Sequence, residues 1–155
     1  MPRITCKTPS TGRTIMLRLV DVGTTATTIA EAPDFSVPDT SSTFAARDPS
    51  DSGRAIRPGE VSLLTPIFAR NKGTATAVLT VEFLSEAGDR SSFAVVSVPA
   101  GETAAIPVQG QSLVKRVLAG TNGDRLQVKS GTADVFDIHG AADERVSSEH
   151  IGVVT

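Results

Sequence analysis

The feature that most constrains this chain is a succession of short alternating segments between residues 61 and 138. Turn residues interrupt it every ~8–12 positions, the spacing of sandwich and small-barrel strands. In Ala77-Val78-Leu79-Thr80-Val81-Glu82-Phe83-Leu84 the apolar positions Leu79, Val81 and Phe83 recur at period two. That spacing puts them on one face of a strand and Thr80 and Glu82 on the other. Phe93-Ala94-Val95-Val96-Ser97-Val98 runs back after Glu86-Ala87-Gly88-Asp89, with Phe93 and Val95 expected inward by the same period. Ala104–Val108, Ser112–Leu118, Arg125–Lys129 and Ala133–Ile138 supply further strands. Val61–Arg70 is one strand or two, broken at Pro66, and Asn71-Lys72-Gly73-Thr74 is a turn with residues that tolerate positive φ. Asn122-Gly123 predicts a tight type I′ hairpin. No window of ten or more residues holds apolar positions at helical spacing. The fold class is therefore all-β, an antiparallel β-sandwich of immunoglobulin-like or jelly-roll-like type, with Leu79, Val81, Phe83, Phe93, Val95, Leu126, Val128 and Phe136 in its core.

Residues 1–60 differ in character. Thr14–Asp21 reads as a strand, with Ile15, Leu17 and Leu19 on one side. From Ala32 to Pro58 the chain carries Pro33, Pro38, Pro49 and Pro58 together with Asp34, Asp39, Asp48 and Asp51. Proline fixes φ and removes ladder donors, so this stretch predicts an extended N-terminal arm rather than a long helix or a central strand. Its large apolar side chains, Phe35, Val37, Phe44 and Ile56, are too few to offset an ordering cost of about 1–2 kcal/mol per residue. They are expected to bury against a partner, as are Ile151, Val153 and Val154 of the C-terminal tail, through added-strand pairing. The organisation expected is thus a strand and arm over 1–60, a sandwich over 61–140 and a tail over 141–155.

Chemistry is scarce. The chain of 155 residues has one cysteine, Cys6, which can form neither an internal disulfide nor a cysteine-based zinc site. His139 and His150 match no metal-ligand spacing, and Gly110-Gln111-Ser112 lacks the second glycine of a nucleophile elbow. Asp48-Pro49-Ser50-Asp51-Ser52-Gly53 opens like a calcium loop, but Gly59 stands where an EF-hand needs glutamate. No phosphate-cradling glycine motif occurs. The expectation is a non-enzyme without cofactor, metal or catalytic residues. A net charge of −2 and a pI near 5.6 give no basic footprint for nucleic acid. Trp and Tyr are absent and aromatics total 4%, which weakens sugar-stacking and single-strand-binding readings. No apolar run approaches the ~20 residues of a membrane-spanning helix, and no secretion signal is visible.

Three short stretches carry a resemblance. Phe68-Ala69-Arg70-Asn71-Lys72-Gly73-Thr74-Ala75-Thr76-Ala77-Val78 resembles the asparagine, small-residue, threonine-valine strand entry of small virion proteins of tailed bacteriophages. Val98-Pro99-Ala100-Gly101-Glu102-Thr103 is similar to their proline-alanine-glycine turn, and Gly123-Asp124-Arg125-Leu126-Gln127-Val128 to their Gly-Asp-x-Leu-x-Val strand. The resemblance covers about half of the chain and carries no catalytic residue. It implies a virion structural protein assembled in the host cytoplasm: a decoration or cement protein, trimeric, on the major capsid protein lattice. The alternative it leaves is a head–tail connector or tail component contacting neck or tail proteins. A calcium- or sugar-binding sandwich module is a third reading.

Overall fold

The computed structural model describes residues 6–7, 13–38, 54–115 and 123–146, and among these it is all-β: two antiparallel sheets packed face to face. The strands are β1 (Cys6–Lys7), β2 (Arg13–Leu19), β3 (Thr27–Glu31), β4 (Asp34–Pro38), β5 (Arg54–Leu63), β6 (Ile67–Asn71), β7 (Ala77–Leu84), β8 (Arg90–Val98), β9 (Thr103–Ile106), β10 (Ser112–Val114), β11 (Arg125–Ser130) and β12 (Phe136–Val146). The smaller sheet has the order β3-β11-β7-β8. The larger is built on β12, which pairs with β2 along one edge and with β5 and β6 in succession along the other. β5 and β6 flank a kink at Pro66, where Leu64 N and Thr65 N both donate to Ala141 O and Thr65 Oγ1 accepts from Ala141 N. The core lies between the sheets, with Leu63, Ile67, Leu79, Ile106, Leu113, Leu126, Phe136 and Ile138 fully buried.

Turn chemistry follows the sequence closely in two places. Gly88 N bonds Ser85 O and Gly88 has φ of 95°, the left-handed position of a three-residue hairpin loop. Glu102 N bonds Pro99 O across Gly101 with φ of 76°, the geometry of a type II turn. Asn71 and Gly73 show no positive φ. Instead Asn71 is fully buried: its Nδ2 donates to Ala75 O and Val98 O, both at 2.8 Å, and its Oδ1 accepts from Gly73 N. Its side chain thereby ties the β6–β7 turn to the end of β8.

Four expectations need correction. The stretch 32–58 is not simply an arm: β4 pairs antiparallel with β5 from Asp34↔Pro58 to Pro38↔Arg54, and β1 adds in parallel. Its described prolines sit at the ends of the described β4–β5 ladder: Pro33 precedes β4, Pro38 is the last residue of β4, and Pro58 pairs with Asp34 at the other end, while Pro49 lies outside the described residues. Consequently the boundary drawn at 60/61 cuts β5, that at 140/141 cuts β12, and residues 13–38 contribute to both sheets. Nor do the described strands on either side of Asn122-Gly123 pair with each other: β10 pairs with β5 in the large sheet and β11 with β7 in the small one, while Asn122 itself lies outside the described residues. Gly123 serves a crossing between sheets, where a Cβ would stand 2.7 Å from Ala32 O. Finally, Val95 is 65% exposed. β8 carries an extra residue, Phe93, between the Val81↔Ala94 and Glu82↔Ser92 pairs. That bulge turns Ala94, Val96 and Val98 inward and Val95 outward. Phe83 and Phe93 are half-buried and meet edge to face at 5.3 Å.

Candidate functional site

The residues expected to anchor a partner fall into three groups. Phe35 is 4% exposed, packed against the molecule's own backbone at Gly59 rather than waiting for another surface. Val37 and Ile56 lie in the β4–β5 ladder, opposite Ala55 and Ser36. Phe44, Ile151, Val153 and Val154 lie outside the described residues, as do His150 and the Asp48–Asp51 turn. Cys6 is in β1 beside Asp34 in the ladder. Ser112 is an exposed residue of β10 paired with Ser62. Among the described residues no group of three or more His, Cys, Asp or Glu side chains could hold a metal ion, and no helix is long and apolar enough to cross a membrane.

What the sequence reading missed is the outer face of the large sheet. With Leu17, Ile138, Ala69 and Ile106 buried inward, alternation turns their neighbours out. Register then aligns Arg18, His139, Phe68 and Ala105 in one row across β2, β12, β6 and β9. The His139 ring stacks on Phe68 with centroids 5.2 Å apart. In the next row Met16 stands opposite Ala141, whose carbonyl accepts from Leu64 N. Met16 is 76% exposed and Leu64 50%. The outer face thus carries Met16, Leu64 and Phe68 in neighbouring rows, with charge among and around them: Arg18, Arg70, Asp137 and Asp143 belong to the outward positions of the same strands. A polar rim around an apolar centre is the anatomy of protein interfaces, and exposed Met supplies an adaptable contact. Only the Met16 position carried a signal in sequence, as the large apolar residue out of phase with Ile15, Leu17 and Leu19.

Two charged clusters complete the picture. At one end, Lys72 Nζ bridges Asp21 and Asp137, 2.9 Å from Asp137 Oδ1. Hydrogen bonds from Lys72 and then from the Asp21 backbone hold the Asp137 carboxyl below its usual range. The other cluster is buried. Lys115, just past β10, donates from Nζ to Asp34 Oδ2 at 2.7 Å, and the two side chains are 7% and 3% exposed. Burial pushes the Asp34 carboxyl up, the Lys115 hydrogen bond and charge oppose it, and the charge of Glu86 adds to the rise. Asp124 braces this region by accepting from Glu86 N at 3.0 Å and from Val114 N at 3.2 Å. Beside it, Ser85, Asp89, Arg90, Gln111 and Ser112 line an open cleft of about 240 Å³.

Neither a protein-family model nor a curated protein sequence matches the chain. Among solved structures it is similar to the N-terminal endo-1,4-β-D-xylanase 10B of Clostridium thermocellum, its CBM22-1–GH10 modules complexed with xylohexaose. The likeness has 13% identity and a TM-score of 0.32, and it covers 90% of this chain and 30% of that one. The chain therefore spans less than a third of the xylanase chain's length.

Proposed function

We propose that this chain is a non-enzymatic assembly protein, a decoration or cement protein on the capsid of a tailed bacteriophage. The observation that carries the assembly reading is the apolar set Met16, Leu64 and Phe68 on the outer face of the large sheet. Solvent exposure of apolar side chains is unfavourable by roughly 25 cal/mol per Å², and a partner surface removes that cost. β2 borders this face, and its outward side chains Thr14, Met16 and Arg18 extend the same surface to the sheet margin. The location in a virion rests on the three stretches quoted above. Two of them do structural work in the fold: Asn71 holds a turn through three hydrogen bonds, and Gly101 makes a type II turn.

Sedimentation velocity on the full chain tests the proposal. The wild type should run as a trimer, and the doubly substituted Met16→Asp, Leu64→Asp protein should fold with unchanged circular dichroism yet run smaller. A ring of six or twelve would move the protein to the head–tail junction or tail. A wild type that stays monomeric at high concentration, with the double variant indistinguishable from it, would overturn the interface.

A further inference from the structure

The Lys115–Asp34 pair is an unusual way to spend buried charge. Taking both ions out of water costs several kcal/mol each, and attraction repays it only when every remaining lone pair is satisfied. Here Asp34 Oδ1 is buried with no hydrogen-bond partner among the described residues. The surroundings are tight. A Cβ on Gly123 would stand 3.1 Å from Lys115 Cβ, and one on Gly59 would stand 2.5 Å from Pro33 O. Lys115 N also donates to Gly59 O, which holds the lysine backbone beside β5 while its amine bonds Asp34. The hydrogen bond holds the amine beside the carboxyl group inside a buried site, so the reacting groups are already brought together and the amine has only to swing from Oδ2 onto the face of the carboxyl group to attack Cγ.

We propose that Lys115 and Asp34 join in an intramolecular amide, a self-formed isopeptide cross-link between β4 and the segment following β10. Within the pair, one proton passes from the Lys115 ammonium to the Asp34 carboxylate, giving amine and carboxylic acid. The amine lone pair attacks Asp34 Cγ and the C–N bond forms. A second proton leaves nitrogen and reaches the hydroxyl, the C–O bond breaks, and water departs. One positive and one negative charge vanish together, so no oxidant, reductant or cofactor is needed. The carrier of the second proton in this scheme is Glu86, whose backbone N bonds the same Asp124 carboxyl that accepts from Val114 N, next to Lys115, and whose charge acts on Asp34. Burial favours the neutral carboxylic acid that reacts, in line with the upward push on the Asp34 carboxyl. It also keeps water from reversing the step, and the neutral amide replaces an ion pair that the low-dielectric site tolerates poorly. The bond would close a loop between residues 81 positions apart and lock the root of the β4–β5 ribbon to the crossing between the sheets. A subunit held in a mechanically loaded particle gains from such a clamp, but the cross-link does not depend on that setting.

Intact-mass spectrometry of the folded full chain, denatured immediately before measurement, tests this directly. The expected mass is that of the sequence less one water, and proteolysis should yield a branched peptide joining Asp34 to Lys115. Lys115→Arg and Asp34→Ala should each restore the full mass. Glu86→Gln, if folded by circular dichroism, should show the uncrosslinked mass or accumulate the bond at least tenfold more slowly. A folded wild type at full sequence mass overturns the proposal, whatever the variants do. So does a lost water that fragmentation places elsewhere, for example in a cyclic imide.

Discussion

The β7–β8 hairpin and the β4–β5 ribbon are both antiparallel pairs, yet they are stabilised differently. In β7–β8, burial comes from repetition: Ala77, Leu79 and Val81 face the core from one strand and Val96 and Val98 from the other. In β4–β5, a single aromatic ring dominates what the described side chains show. Phe35 is buried because Gly59 offers no side chain in its way, a Cβ there standing 2.6 Å from the Phe35 ring. Alternating strands advertise themselves, whereas a strand held by one ring in a glycine notch does not.

The largest expected effect tests that difference. Phe35→Ala should cost about 3–5 kcal/mol in a denaturant melt, the range for a buried phenylalanine. Phe83→Ala should cost less, because Phe83 is half-buried at the edge of the core. The reverse order would show that the ribbon is dispensable and that the hairpin alone carries the fold.

The second pair of substitutions compares the devices that fix each region. Gly59→Ala forces a methyl group into Pro33 O and the Phe35 ring, and should cost about 1–3 kcal/mol through overpacking. Asn71→Ala leaves the carbonyls of Ala75 and Val98 without the donor that serves them, again about 1–3 kcal/mol. Asn71→Asp separates lost hydrogen bonds from lost volume: it keeps the acceptor for Gly73 N but removes both donors. Thermal melts in which Asn71→Asp matches wild type would refute the hydrogen-bond account.

How much of this was legible in sequence can be read from the same two regions. Period-two alternation sufficed for β7 and for the core positions Leu79, Val81, Leu126, Val128 and Phe136, because a half-buried strand must alternate. It failed at Val95, since an inserted residue in β8 reverses the phase and nothing in Ser92-Phe93-Ala94 marks a bulge. It failed between 32 and 58 because proline frequency was read without strand position: a proline at a ladder's end costs no donor. Asn122-Gly123 is a strong local signal for a tight turn, but a local signal does not say whether the flanking strands share a sheet. The outer face escaped for a different reason. Met16, Leu64 and Phe68 come from separate strands and connections, and only the β12 register brings them together.

A smaller effect isolates the bulge itself. Val95→Thr on the exposed side should change stability by less than about 0.5 kcal/mol, as surface substitutions do. Val96→Thr, which places a hydroxyl against the core beside Leu79, should cost about 1–3 kcal/mol unless the hydroxyl finds a partner. Equal costs at the two positions would put the extra residue elsewhere in β8.

The smallest effect expected concerns the Lys72 bridge, which lies outside both regions and should leave their comparison untouched. Lys72 bonds Asp137 and Asp21 at the surface, where screening keeps ion pairs weak. Its pH dependence nevertheless has a definite sign. The Asp137 carboxyl is held low by the Lys72 hydrogen bond, so its contribution is present above the usual carboxylate range and is lost as pH falls through its folded value. The Lys72 amine is held high, first by Asp137 and then by Asp21, so its contribution is present below the ordinary lysine value and lost as pH rises through its folded value. Lys72→Met should therefore lower the melting temperature slightly across the neutral range and converge on wild type at both extremes. Salt should shrink the neutral difference, since the Debye length falls to ~3 Å at 1 M. A difference that survives unchanged in strong acid and high salt would mean that the lysine acts through its aliphatic stem, packed against the turn, rather than through its charge.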